Sequence, residues 1–245
     1  MTSLIGYVLF LFFLITNGEN GFIPSYIKPC TLENDLERCV KEQIEASLPY
    51  FTRGIPELDV PSLDPVHLND IKIDGNGLTL TFTEAAMHGI SKSTLTDFKL
   101  NLKEEKFTLA FKGNMSLIAK YEVDGSILIL PIRGKGDAVV KARNIEVIIH
   151  SNLTHVTDKN GDHFKLVLPN YSYDIQNTKF VFDNLFDGNK QLSDATHQFA
   201  NANWRQLMDD LAPPVVQQIV RTCVKAINKF FSKVTIQQIV LGYER

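Results

Sequence analysis

The side chains best able to do chemistry in this 245-residue chain are few, and their spacing does not favour it. His150, His155 and His163 flank a turn signal at Asn160-Gly161 and are the natural candidates for metal ligands. No cysteine or close carboxylate completes a tetrahedral set with them, so they read as ordinary, largely solvated histidines. Asp158 to Asp162 begins like a calcium loop but lacks the later oxygen ligands and the terminal Glu, so it reads as a turn. Gly134-Lys135-Gly136 begins like a dinucleotide loop, yet Val139 stands where the third glycine belongs, and a turn between strands is expected there too. G-x-S-x-G, H-E-x-x-H, C-x-x-C and Walker A sequences are all missing. The residues therefore predict no enzyme, no metal and no cofactor.

Charge points the same way. The net charge of −3 argues against nucleic acid as a partner. Arg221, Lys225, Lys229 and Lys233 form a basic row at i+4 spacing, which offers a strip for a receptor or an anionic membrane surface. The plainer reading is a solvated helix face whose cations suit the negative end of the helix dipole.

Other residues speak of export. Residues 1–18 hold no Asp, Glu, Lys or Arg, and Leu4 to Ile15 is apolar but short for a bilayer span. With small residues at Thr16-Asn17-Gly18, this segment reads as a signal peptide, leaving residues 19–245 as one secreted domain without stable membrane insertion. Asn114-Met115-Ser116, Asn152-Leu153-Thr154 and Asn170-Tyr171-Ser172 are glycosylation sequences. Cys30 and Cys39 are expected to form a disulfide in an oxidising compartment. Cys223 is left over, either as a small buried hydrophobe or as half of an intermolecular bridge.

The elements that would position these residues fall into three blocks. Thr31 is placed to cap a helix from Leu32 to about Leu48, with Pro49 ending it. Residues 54–65 are proline-rich and read as an extended, rigid connection. From Val66 to Phe182 short runs alternate apolar and polar residues, as in Leu78, Leu80 and Phe82 or in Phe107, Leu109 and Phe111. Turn signals at Asp74-Gly75, Asp124-Gly125 and Asn160-Gly161 divide them into an antiparallel meander. After Asp187-Gly188-Asn189 the period becomes helical, with a break or sharp bend expected at Pro213-Pro214. Beyond it Val215, Ile219, Cys223, Ile227, Phe230 and Val234 form one apolar row, widened by Val216, Val220, Val224 and Phe231. A stripe this broad must be covered over much of its circumference, so the sheet has to curve around the helix.

Several phrases carry a family resemblance. They are Gly54-Ile55-Pro56-Glu57-Leu58 with Leu63-Asp64-Pro65, and the run from Tyr121 to Gly136. Asn184-Leu185-Phe186-Asp187-Gly188-Asn189 and Asn203-Trp204-Arg205 complete them. In this order the chain resembles the insect takeout and juvenile-hormone-binding protein family, and with its unpartnered Cys223 it resembles the takeout branch more. The resemblance implies an α+β, TULIP-like fold in which a strongly curved antiparallel sheet wraps a long C-terminal helix around a hydrophobic tunnel. It also implies a secreted carrier of a small hydrophobic ligand, a terpenoid or another lipid, in haemolymph or sensory fluid. A protein-interaction factor with no lipid cargo is the alternative.

Burial sets the energetics of such a carrier. About a dozen sequestered carbons gain on the order of 10 kcal/mol at roughly 0.8 per methylene, against about 4–15 kcal/mol for association. Useful affinity therefore needs a pocket that already exists. The candidate wall is Leu80, Phe82, Phe107, Leu109, Phe111, Tyr121 and Val123 from strands, with Trp204, Ile227 and Phe230 from helices. Tyr121, Tyr171 or Tyr173 is the candidate polar anchor.

Overall fold

The computed structural model describes residues 22–244. The predicted signal peptide and its cleavage point lie outside those residues. Strand β1 (Cys30–Thr31) leads to helix α1 (Leu36–Phe51). Then come β2 (Val66–His67), β3 (Ile71–Gly75), β4 (Leu78–His88) and β5 (Thr94–Asn101). Two very long strands follow, β6 (Lys106–Ile127) and β7 (Leu130–Asp158), before β8 (Gly161–Asp174) and β9 (Asn177–Phe182). Helices α2 (Lys190–Ala202) and α3 (Trp204–Phe231), the short α4 (Ile236–Ile239) and β10 (Val240–Leu241) finish the chain.

The main sheet runs β2-β4-β6-β7-β8 and is antiparallel; β3 also pairs with β4, β5 with β6 and β9 with β7. Strands of 22 and 29 residues cannot stay flat. Register shifts between Gly113 and Met115, between Thr83 and Ala86, and between His150 and Asn152 mark bulges that bend them. The inner face of the arch meets α3, which buries Leu207, Leu211, Val215, Val216, Val220, Val224 and Phe230.

Side-chain amides on the helices bind backbone on the sheet. Asn228 accepts from the Leu166 N–H at 2.8 Å and donates to the Leu166 carbonyl at 2.9 Å. Asn201 does the same to Phe180 at 2.7 and 3.2 Å. These pairs satisfy backbone groups that no neighbouring strand can reach.

Chain ends are tied together. Cys30 bonds to Cys39, fixing β1 to α1, and β1 pairs in parallel with β10.

Several expected boundaries move, each for a local reason. Thr31 does not cap the first helix, because β1 draws it into register with Leu241. Asp35 caps instead, accepting from the Arg38 N–H at 3.3 Å, and Pro49 lies inside the last turn rather than ending the helix. Residues 54–65 do not run extended throughout. Ile55 and Val60 bridge across a 3-10 turn at Pro56–Leu58. The turn signals at Asp74-Gly75 and Asp124-Gly125 lie within paired strands; the actual turns are Asn76-Gly77 and Leu128-Ile129.

Gly134 and Gly136 are not a turn either. They lie inside β7, where a β-carbon on Gly134 would fall 3.0 Å from Leu185 Cα and one on Gly136 would fall 2.8 Å from the Asp183 carbonyl. Helix α3 passes unbroken through Pro213 and Pro214; the interruption falls at Asn203, between α2 and α3. Leu211, Ala212, Val215 and Val216 on both sides of the prolines are buried, and that burial holds the helical path against the lost hydrogen bonds.

Candidate functional site: an apolar cavity between sheet and helix

Between the arch and α3 lies a cavity of about 140 Å³. Strands β4, β6, β7 and β9 supply one wall, including Phe82, Met87, Phe111, Met115 and Phe180. Helix α3 supplies the other, with Met208, Leu211, Val215, Ile219 and Cys223 among its contributions. The helical members recur at i+4, so one face of α3 is the cavity floor. No Asp, Glu, Lys, Arg or His reaches the lining, and its one hydroxyl belongs to Ser93. That hydroxyl is turned to the Gly89 carbonyl at 3.4 Å.

The size is comparable to an apolar cavity of about 150 Å³ that stays dry and admits benzene. Met87, Met115 and Met208 all line this one. Each has three rotatable side-chain bonds and a polarisable sulfur, so the wall can yield to longer molecules at modest cost. Cys223 is unpaired and keeps accessible surface, but that surface faces the cavity; burial pushes its thiol up to about 12. A neutral thiol is in effect another apolar lining group. That position suits a small buried hydrophobe.

A second void of about 20 Å³ lies beside the first. Phe180 and Leu211 belong to the walls of both.

The candidate wall residues divide among these spaces. Phe82 and Phe111 reach the larger cavity, and Leu80 and Val123 the smaller. Phe107 packs edge-on against Phe98 at 5.6 Å, in the satellite cluster that also buries Leu109 under Val40 and Ile44 of α1. Trp204 is half-buried, with the Arg205 guanidinium 4.6 Å from its ring centroid. Ile227 packs against the core cluster of Val224 and Leu166, and Phe230 is buried with its ring 5.8 Å from that of Phe51. Tyr121 is buried, but its hydroxyl donates to the Asp183 carbonyl at 2.6 Å rather than facing a cavity. Burial first, and the Asp183 charge second, raise its pKa to about 12. Tyr171 and Tyr173 pack half-buried around the Val224 cluster, outside both linings.

The three histidines have other work. His163 is buried, with Nδ1 2.8 Å from the Phe231 carbonyl and Nε2 3.2 Å from Asp158. His155 bridges Glu105 and Tyr243 at 3.1 and 2.7 Å, and His150 meets Thr108 at 3.0 Å. In the basic row, Lys229 and Lys233 both approach Asp59, at 3.5 and 3.6 Å, while Arg221 and Lys225 are exposed. Asn114, Asn152 and Asn170 are all exposed.

A curved antiparallel sheet closed on one long helix, with an apolar void between them, defines a hydrophobic-ligand carrier of the TULIP type. Comparison places the chain within that class. Residues 8–241 match the family model for haemolymph juvenile hormone binding protein (JHBP), and the chain belongs to that family. It is 30% identical to the circadian clock-controlled protein daywake of Drosophila melanogaster over 226 residues, 86% of this chain and 84% of that one. The Drosophila yakuba protein of the same name is 31% identical over the same shares. Among solved structures, Takeout 1 of Epiphyas postvittana superposes with a TM-score of 0.82 at 30% identity, over 88% of this chain and all of that one. Among the described residues no helix is long and apolar enough to cross a membrane.

Proposed function

We propose that the protein is a secreted carrier that takes up a small, electrically neutral hydrophobic molecule in the cavity beneath β6 and β7. The observation that carries this reading is the lining itself: a preformed void with one occupied hydroxyl and no charged side chain. An ionised carboxylate buried there would find no partner, and an unpaired buried charge is prohibitively costly. Esters, terpenoids and other neutral lipids suit the site better than fatty-acid anions. Secretion is supported by the signal-like residues 1–18, by the Cys30–Cys39 disulfide and by three exposed glycosylation sequences.

The test is native mass spectrometry of the secreted protein, followed by lipid extraction. It is expected to show a protein cleaved near residue 18, carrying glycans and a neutral apolar adduct. A neutral fluorescent probe should bind saturably, and its carboxylate analogue at least about tenfold more weakly. Folded protein that takes up neither probe would refute the carrier role; equal binding of both would refute the neutral ligand class.

A further inference from the structure

The hairpin joining β6 to β7 has the wrong residues for its turn and the wrong residues for water. Ile127 pairs with Leu130, leaving Leu128 and Ile129 to make the reversal. Leu128 has φ 57°, a conformation that bulky side chains avoid and that two-residue hairpins usually give to Asn or Gly. The neighbouring hairpin of the same sheet does use Asn76-Gly77. Ile129 is 89% exposed, the most exposed large hydrophobic side chain among the described residues. Leu128 is half-buried against the main core, which accounts for a leucine despite its φ, but neither packing nor solubility accounts for Ile129.

What lies behind the tip gives it a purpose. Ile127 and Ile132, on either side of the reversal, line the small void, and Phe180 and Leu211 separate that void from the main cavity. A small void lined wholly by apolar side chains thus stands between the tip and the wall of the proposed ligand site. The charges below the tip make no cationic patch: Arg133 is 3.3 Å from Asp187, Lys135 is 3.0 Å from Glu122, and the exposed Asp124 stands opposite Arg133 in the ladder. A convex apolar tip above a collar with no cationic excess suits a lipid surface held by insertion rather than by electrostatic attraction.

We propose that the hairpin tip, led by Ile129, inserts transiently into a neutral lipid surface, and that apolar cargo passes from that surface through the void behind the tip, past Phe180 and Leu211, into the main cavity. The cargo rests on the carrier reading above; the docking does not.

Two measurements on the full-length mature protein test it. In Ile129→Trp, phosphatidylcholine vesicles with brominated acyl chains are expected to quench tryptophan emission beyond any effect on the wild type, whose one indole is Trp204. Quenching should persist in high salt. Transfer of a neutral fluorescent ester from phosphatidylcholine vesicles to the wild type should speed up in proportion to vesicle concentration. Ile129→Asp should slow it about tenfold, the effect of losing roughly 1.4 kcal/mol at the docked state, with unchanged affinity for the ester added from solution. No quenching, a transfer rate independent of vesicle concentration, or a rate indifferent to Ile129→Asp overturns the proposal; the last would hand the tip to a protein partner. Quenching without any uptake of ester would leave the docking tip standing and refute the carrier role.

Discussion

The Tyr121 hydroxyl reaches across β7 to donate to the carbonyl of Asp183 at 2.6 Å. It can do so because Gly134 leaves the way clear: a β-carbon there would lie 2.8 Å from the Tyr121 oxygen. Asn184 adds a second tie, donating to the Lys135 carbonyl at 3.0 Å. This junction is where the sheet hands the chain to the C-terminal helices. Tyr121→Phe is expected to cost about 1–2 kcal/mol, one hydrogen bond lost and one carbonyl left short. Gly134→Ala is expected to cost a similar 1–3 kcal/mol through overpacking. Urea unfolding of the two variants and their combination measures both, and the double variant should fall short of additivity because the groups touch.

Cys223 offers a direct reading of the cavity. Burial pushes its thiol up to about 12, so the neutral form dominates at pH 7. Maleimide should therefore react far more slowly with the native protein than with unfolded chain. Cys223→Leu puts extra carbons into the void, so it should weaken a neutral probe by about tenfold or more while leaving the thermal midpoint equal or higher. Undiminished binding in that variant would place the ligand elsewhere.

The sequence made the broad plan legible and hid the void. Alternation from Val66 to Phe182 located the strands, and the row Val215, Ile219, Cys223 marked the helix face that became the cavity floor. Alternation tells inward from outward, but it says nothing of whether an inward side chain meets a neighbour or a gap. Thus Phe111 reaches the cavity while Leu109, two residues back on the same face, fills a cluster under α1. A register shift falls between them, where Leu95 of β5 pairs with Phe111 but Asp97 with Ala110, and such irregularities leave little trace in a hydropathy pattern. Met87, Met115 and Met208 were the missed signal: every methionine after Met1 lines the cavity. Pro213-Pro214 misled because tertiary burial on both flanks outweighs a local preference for breaking the helix.

Asp64 predicts how stability follows acid. Burial works to raise its pKa, but hydrogen bonds from the Ser91 hydroxyl, the Ser91 N–H at 2.9 Å and the Gly89 N–H at 3.0 Å together hold it below the ordinary carboxylate value. A carboxylate with a depressed folded-state pKa contributes stability that is fully present above its unfolded pKa and is lost as pH falls through the folded one. The urea midpoint is therefore expected to fall on acidification below about pH 4. Asp64→Asn should lower stability at pH 7 and flatten that acid limb. A limb of unchanged steepness would assign the acid sensitivity to other carboxyls.

Asn228 should show the opposite slope. Its amide both accepts from and donates to Leu166, at 2.8 and 2.9 Å, and so fastens α3 to β8. Asn228→Leu leaves an N–H and a carbonyl unpaired and is expected to cost about 2–4 kcal/mol, with faster hydrogen exchange at the Leu166 amide. Asn228→Asp is more discriminating. A neutral carboxyl can mimic the amide, donating to the carbonyl and accepting from the N–H, whereas a carboxylate sets a negative oxygen against the Leu166 carbonyl. The folded state thus favours the protonated form and raises the pKa of the introduced group. A raised folded-state pKa contributes stability that is present below the unfolded pKa and is lost as pH rises through the folded one. Relative to the wild type, Asn228→Asp should be nearly as stable at pH 4 and clearly weaker at pH 8. Urea midpoints across that range decide the matter, and a pH-independent deficit would mean that the helix-to-strand clamp acts through shape rather than through paired hydrogen bonds.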